Sequence, residues 1–117
     1  MSVESDLYAV LAPLVSNRAY PMVGPLNGPV PYITYQQVGG NAANFLEGIP
    51  SKRNGRFQIN TWATTALVAA NLIRQVEDAV RLSNVLRATT EGGAVADYDG
   101  VTKLFGYRQD FSIWFQA

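Results

Sequence analysis

The chain has 117 residues, of which 48% are hydrophobic and 15% are charged, and its nine Lys and Arg residues balance nine Asp and Glu residues. This length fits one domain with one core, residues 1–117, and the zero net charge argues against a field that attracts nucleic acid or an anionic membrane. Because the chain lacks both cysteine and histidine, disulfides, thiolate metal sites and the Ser–His–Asp and Cys–His catalytic sites are excluded.

The first predicted element is a short helix that starts after Ser2 and ends near Ala12. Ser2 is a favourable N-cap, Glu4 and Asp6 suit the positive end of a helix, and Pro13 should end it. The apolar residues of this segment fall on one face at helical spacing: Val3, Leu7, Val10, Leu11 and Leu14. The acidic start differs from the basic start of a secretory signal, so we expect a soluble protein that is made in the cytoplasm.

A loop and two strands follow this helix. Residues 16–31 contain four prolines and two glycines, which predicts an irregular segment with a brief strand at most, around residues 20–23. Residues 32–38 are rich in β-branched and aromatic side chains and predict a strand, as does the alternating pattern of residues 56–63. We expect these two strands to form a hairpin with a long loop at residues 39–54.

The longest predicted helix covers residues 66–82, after a cap at Thr64 or Thr65. Its predicted inward stripe consists of Val68, Ala69, Leu72, Ile73, Val76 and Val80. The most apolar stretch of the chain, residues 66–73, falls far short of the ~20 residues that cross a bilayer, so no membrane association is predicted.

The remaining sequence predicts two strands, residues 85–90 and 107–115, with turns at residues 91–93 and 97–100. One face of the last strand is predicted to carry Tyr107, Gln109, Phe111, Ile113 and Phe115. The order of elements predicts an α+β fold, in which an antiparallel or mixed β-sheet carries two α-helices packed on one face.

The second face of this sheet is a candidate contact surface. It is predicted to carry Gln58, Asn60, Trp62, Asp110, Ser112 and Trp114. A polar face with two tryptophans suits a protein–protein interface, with Trp62 and Trp114 as candidate contacts between subunits. The alternative is that the two indoles cover each other across neighbouring strands.

Two further surfaces are predicted in and beside the long loop. Phe45, Leu46 and Ile49 are large apolar residues, which either fold back onto the domain or are covered by a neighbouring subunit. Lys52, Arg53 and Arg56 form the one basic cluster of the sequence. This cluster is a candidate contact for an acidic partner or for DNA, and the alternative is a solvated loop tip.

Motifs for chemistry are sparse. The sequence has no glycine-rich phosphate-binding loop. Asp97-Tyr98-Asp99-Gly100 resembles a fragment of a calcium loop, but the remaining acidic ligands are missing, which favours a turn. No catalytic residue, cofactor-binding residue or metal ligand is therefore predicted, and we expect a protein that is not an enzyme.

Short motifs spread over the chain in a fixed order resemble those of a known family. They are SVESDLY (2–8), LAPL (11–14), RAYP (18–21), PYITYQ (31–36), RFQINTWA (56–63) and RQDFSIW (108–114). Together they resemble the small tail-completion, or tail terminator (tail-to-head joining), proteins of long-tailed bacteriophages. Residues 39–54 and 92–104 match this pattern only loosely.

The resemblance implies an α+β structural virion protein at the head-proximal end of the tail. Such proteins form a ring, typically a hexamer, on the last ring of tail-tube subunits. The ring stops tube elongation and offers a docking surface for the neck or the head-completion protein. Genome DNA passes through its lumen without sequence-specific binding.

Other functions remain open on sequence grounds. The first alternative is another ring subunit of the same virion, such as a neck, head-completion or tail-tube protein. A second is a small-ligand binding module or an enzyme that uses only Asp, Lys, Tyr or Arg, which would need a concave pocket with convergent polar groups. A third, a nucleic-acid binder that reads bases, is disfavoured by the zero net charge.

Overall fold

The computed structural model of the chain describes residues 2–40 and 52–116. Helix α1 covers Val3–Leu11 and continues into a 3-10 turn at Ala12–Val15. As predicted, Ser2 caps α1, because its hydroxyl oxygen accepts a hydrogen bond from the Ser5 N–H at 3.1 Å. Helix α2 covers Ala66–Leu82, and the Thr65 hydroxyl caps it through the Val68 N–H at 3.3 Å.

Within these described residues, six strands form one mixed sheet. They are β1 (Ala19–Pro21), β2 (Tyr32–Gly39), β3 (Lys52–Ala63), β4 (Thr89–Thr90), β5 (Val95–Asp99) and β6 (Leu104–Gln116). The strand order is β1-β2-β3-β6-β4, and β5 also pairs with β6. The β1–β2 pair is parallel, while all the other pairs are antiparallel. The fold class is therefore the predicted α+β arrangement.

The core lies between one face of the sheet and the two helices. It joins Leu7 and Leu11 of α1 and Val76 of α2 to Phe57 of β3 and Phe111 of β6, all of which are buried. The alternation in β3 and β6 places these residues inward as predicted, because successive strand residues point to opposite faces. The same inward face carries Gln109, whose amide donates to Glu77 Oε1 at 2.8 Å and to the Gly92 carbonyl at 3.1 Å. This pair of bonds ties α2 and the 91–93 turn to β6.

Several element boundaries differ from the predictions. The strand predicted for residues 85–90 is limited to Thr89–Thr90, because the loop before it is anchored by Ser83 and by the buried Leu86. In α2, Val68 is largely exposed and Ala70 is buried in its place. The Thr61 hydroxyl in the central strand β3 donates to the Ala69 carbonyl at 3.0 Å, which ties the start of α2 to the sheet.

No helix within the described residues combines the length and the apolar character needed to cross a membrane.

Candidate interaction surfaces

The face of the sheet that points away from the helices is called the open face. The register between β3 and β6 runs without a shift from Lys52 opposite Gln116 to Ala63 opposite Phe105. Because opposite residues of an antiparallel pair share a face, this register fixes the residues of the open face. They include the six predicted members, Gln58, Asn60, Trp62, Asp110, Ser112 and Trp114.

The two tryptophans lie far apart on this face. Trp62 is opposite Gly106, whereas Trp114 is opposite Asn54. Eight strand positions separate these pairs, or roughly 26 Å, so the alternative that the indoles cover each other is wrong. Trp62 lies over Gly106, where an added Cβ would approach its ring to 2.8 Å, and its indole N–H donates to Thr34 Oγ1 at 3.4 Å. Trp114 remains 43% exposed.

The basic cluster belongs to a strand and not to a loop tip, which corrects the sequence interpretation of residues 52–55. Asn54-Gly55 continues β3 because Gly55 leaves room for the Phe57 ring, 2.6 Å from where a Cβ would stand. Strand alternation separates the three cations, with Lys52 and Arg56 on the open face and Arg53 on the other. Phe45, Leu46 and Ile49 lie outside the described residues.

Arg56 is the member of this cluster that forms an ion pair among the described residues. Its Nε lies 2.7 Å from Asp110 Oδ2 across the β3–β6 pair. This hydrogen bond and the charge of Asp110 raise the pKa of the Arg56 guanidinium above its usual value. Lys52 and Arg53 form no ion pair within residues 2–40 and 52–116.

A groove lies at one end of the molecule, where β6 finishes and β3 begins. Its volume is about 470 Å³, and it is lined by Lys52, Asn84, Val85, Arg87, Trp114, Phe115 and Gln116. The structure thus brings Lys52 and Trp114, which the sequence singles out separately, to one place. Val85 and Arg87 are additional members that the sequence analysis misses. A cation and an exposed apolar residue in a short loop carry no sequence signal of a site, since the loop meets β3 and β6 only in the folded chain.

The opposite end of the sheet is formed by the β5–β6 hairpin. The turn predicted at residues 97–100 begins only at Gly100, because Asp97, Tyr98 and Asp99 belong to β5 and pair with β6. Asp99 Oδ1 accepts the Val101 N–H at 2.9 Å and the Thr102 N–H at 3.5 Å. The bond from Val101 is the main cause that lowers the pKa of the Asp99 carboxyl.

The hairpin also carries exposed apolar side chains. Val101 is 86% exposed, and the rings of Tyr98 and Phe105 pack together with their centroids 5.0 Å apart while remaining accessible. Asp97 pairs with Arg108 at 3.7 Å. The described residues include no group of three or more acidic side chains placed to hold a metal ion.

The two edges of the sheet differ from one another. One edge is β1, after which Met22 and Val23 are exposed, and the other is formed by β4 and by the hairpin strand β5, near which Tyr98 and Val101 are exposed. The row of backbone donors is interrupted at one position of β1 and one position of β5. Pro21 has no N–H, and the N–H of Tyr98 donates to the Asp97 carboxylate at 2.8 Å. Contacts at these edges are therefore expected to use side chains rather than to extend the sheet.

Comparisons with known proteins agree with this fold. The sequence profile of the family described as "Tail completion protein gp17" matches residues 5–116. A solved chain from the structure titled "Virion of native gene transfer agent (GTA) particle" superposes with a TM-score of 0.66 at 19% identity, covering 99% of this chain and 96% of that one. No curated protein matches the sequence.

Because the profile covers nearly the whole chain, the chain belongs to the tail completion protein gp17 family. Membership of this family makes it a structural protein of a phage tail.

Proposed function

We propose that the chain, as a member of the tail completion protein gp17 family, forms a closed ring that caps the head-proximal end of the tail tube. The ring stops tube elongation and offers the surface on which the neck or the head-completion protein docks, while genome DNA passes through its lumen. We expect a hexamer. This role is structural, and it calls for no catalytic residue, cofactor or metal ion.

The observation that carries the proposal is the difference between the two sheet edges. A closed ring of identical subunits needs a head-to-tail contact, in which one patch meets a different patch on the next copy. The β1 edge exposes Met22 and Val23, and the hairpin edge exposes Tyr98 and Val101, on opposite sides of one sheet. Exposed apolar residues of this kind are typical of surfaces that a partner covers.

The test is native mass spectrometry of the purified protein, alone and after mixing with tail tubes. We expect a sixfold mass, or a monomer that becomes a ring only at the tube end. A stable monomer that ignores tubes would contradict the proposed function. A ring that binds elsewhere in the virion would favour the alternative of a neck, head-completion or tail-tube subunit.

The edge contact is tested by adding one charge to either patch. Val23→Glu and Val101→Glu should each leave a folded monomer that no longer assembles, because a head-to-tail contact fails when either side is blocked. Leu82→Glu is the matched control, since Leu82 is 80% exposed but lies at the end of α2, outside both patches. Normal assembly of both edge variants would show that the subunits meet through other surfaces.

The long loop supplies a second candidate contact within the ring. We propose that Phe45, Leu46 and Ile49 cover part of the adjacent subunit. Replacing Phe45 and Leu46 together with Ser should then leave a folded monomer that no longer forms rings. If this variant assembles normally while Val23→Glu does not, the edge contact holds the ring and the loop has another role.

A further inference from the structure

The groove at the end of β3 and β6 is lined by two cations, Lys52 and Arg87. Its lining residues within the described part of the chain include no carboxylate. Neither cation, nor the neighbouring Arg53, forms an ion pair among the residues that the structure describes. By contrast, Arg56, Arg81 and Arg108 each lie within 4 Å of a carboxylate. Two cations without an ion pair among the described residues thus line this groove, and Arg53 lies beside it on the other face of β3, in a chain whose net charge is zero.

Apolar surface accompanies these charges. The Trp114 side chain is 43% exposed and Val85 is 63% exposed, and both line the groove. An accessible indole beside cationic side chains is typical of a surface that holds an apolar side chain at its centre and charged groups around it.

One wall of the groove is a loop that hydrogen bonds and a buried side chain hold in place. The Ser83 hydroxyl accepts the N–H groups of Val85 and Leu86, each at 3.3 Å, and the Leu86 side chain is only 1% exposed. Arg87 follows with a φ of 48°, which is a strained conformation for a residue with a side chain. The loop therefore holds the Arg87 backbone in one conformation beside the groove.

We propose that this groove binds an acidic segment of another protein. Lys52 and Arg87 contact the carboxylates of that segment, and Trp114 and Val85 contact an apolar side chain between them. The binding is a property of the folded monomer, so it does not depend on the ring of the proposed function, and either proposal can fail while the other stands.

The arrangement favours a peptide over nucleic acid. Tight binding to a phosphate backbone needs a row of several cations. Here Lys52 and Arg53 point to opposite faces of β3, so that the cations surround the end of the sheet and form no row.

The probe is a fluorescein-labelled peptide with four Asp and Glu residues around one Phe, titrated into the full chain and followed by fluorescence anisotropy. We expect saturable binding that weakens as salt is raised, since the contacts are ionic and accessible. Arg87→Glu and Lys52→Glu should each weaken it by about tenfold or more. A peptide with Ser in place of Phe should also bind more weakly.

The matched control is Lys103→Glu. Lys103 is also a cation without an ion pair among the described residues, and its φ of 59° resembles that of Arg87, but it lies at the opposite end of β6. This variant makes the same change in net charge and should bind the peptide within about twofold of the unaltered chain. Circular dichroism checks that each variant is folded.

Three outcomes would overturn the proposal. One is an absence of peptide binding by the unaltered chain at millimolar concentration. Another is an equal loss of peptide affinity in Arg87→Glu and Lys103→Glu, which would indicate non-specific electrostatic attraction and no defined binding site. The third is tighter binding of a thymidine oligonucleotide that Arg87→Glu abolishes, which would assign the groove to nucleic acid.

Discussion

The two ends of the sheet present different chemistry to a partner. At the hairpin end, Asp97 pairs with Arg108 and Asp99 accepts backbone N–H groups, so these two carboxylates have partners within the domain, while apolar side chains remain exposed. At the groove end, Lys52 and Arg87 have no such partner among the described residues. The chain is neutral in total, yet two cations without an ion pair among the described residues line a single groove at one end.

This difference indicates two kinds of contact. An apolar contact at the hairpin end should be insensitive to salt, because burial of apolar surface drives it. A contact at the groove end should weaken as salt rises, because its cations are exposed. Under the two proposals, the contact between copies of the chain is thus separate from the contact with a different protein.

The largest effect on stability is expected where the hairpin end joins the domain. Gly106→Val would place a side chain 2.8 Å or less from the Trp62 ring, against the Thr61 carbonyl. We expect the free energy of unfolding to fall by about 2 kcal/mol, as overpacking usually costs, measured by urea denaturation. Gly100→Ala in the same hairpin is the control, because no atom lies within 4 Å of its added Cβ. Equal stability of Gly106→Val and the unaltered chain would show that Trp62 does not hold the hairpin in place.

A smaller loss of folding stability is expected from a substitution at the groove end. The Asn54 amide donates to Ser112 Oγ at 2.7 Å, and both residues are buried. Asn54→Ala should lower the free energy of unfolding by about 1–2 kcal/mol, because it leaves buried polar groups without this partner. Asn60→Ala, on the same strand and face, removes a 3.4 Å bond to Gln58 and should cost less than about 0.5 kcal/mol. If the two variants are equally stable, the Asn54–Ser112 bond does not support the groove.

The smallest expected effect is on the local stability of the hairpin turn, which should depend on pH. The folded chain lowers the pKa of Asp99, mainly through the bond from Val101, so the ionised carboxylate stabilises the turn. This contribution is complete above the unfolded pKa of aspartate and is lost as pH falls through the lower folded pKa, below about pH 4. Amide exchange of Val101, corrected for its intrinsic pH dependence, should accelerate in that range. Asp99→Asn should abolish this acceleration of exchange. If the acceleration persists in the Asp99→Asn variant, it arises from the titration of another group.

Most of the fold could be predicted because it rests on local patterns. The Ser2 and Thr65 caps, the two helices, and the alternation of residues 56–63 and 107–115 all depend on neighbouring residues. Local patterns failed where long-range pairing dominated. Asn54-Gly55 is a typical turn sequence, but pairing with Ile113 and Trp114 of β6 draws it into β3.

The candidate sites divide in the same way. Sequence alone identified the family, the fold class and the outward position of Trp62, Trp114 and Arg56, because a period of two decides which side chains of a strand share a face. Only the tertiary structure decided that Trp62 packs on Gly106 and that Arg56 is paired with Asp110. It also joined Lys52 and Trp114 with Arg87 in one groove. Those groupings depend on strand register and on the path of one short loop, which are fixed when the whole core packs and not by any single segment.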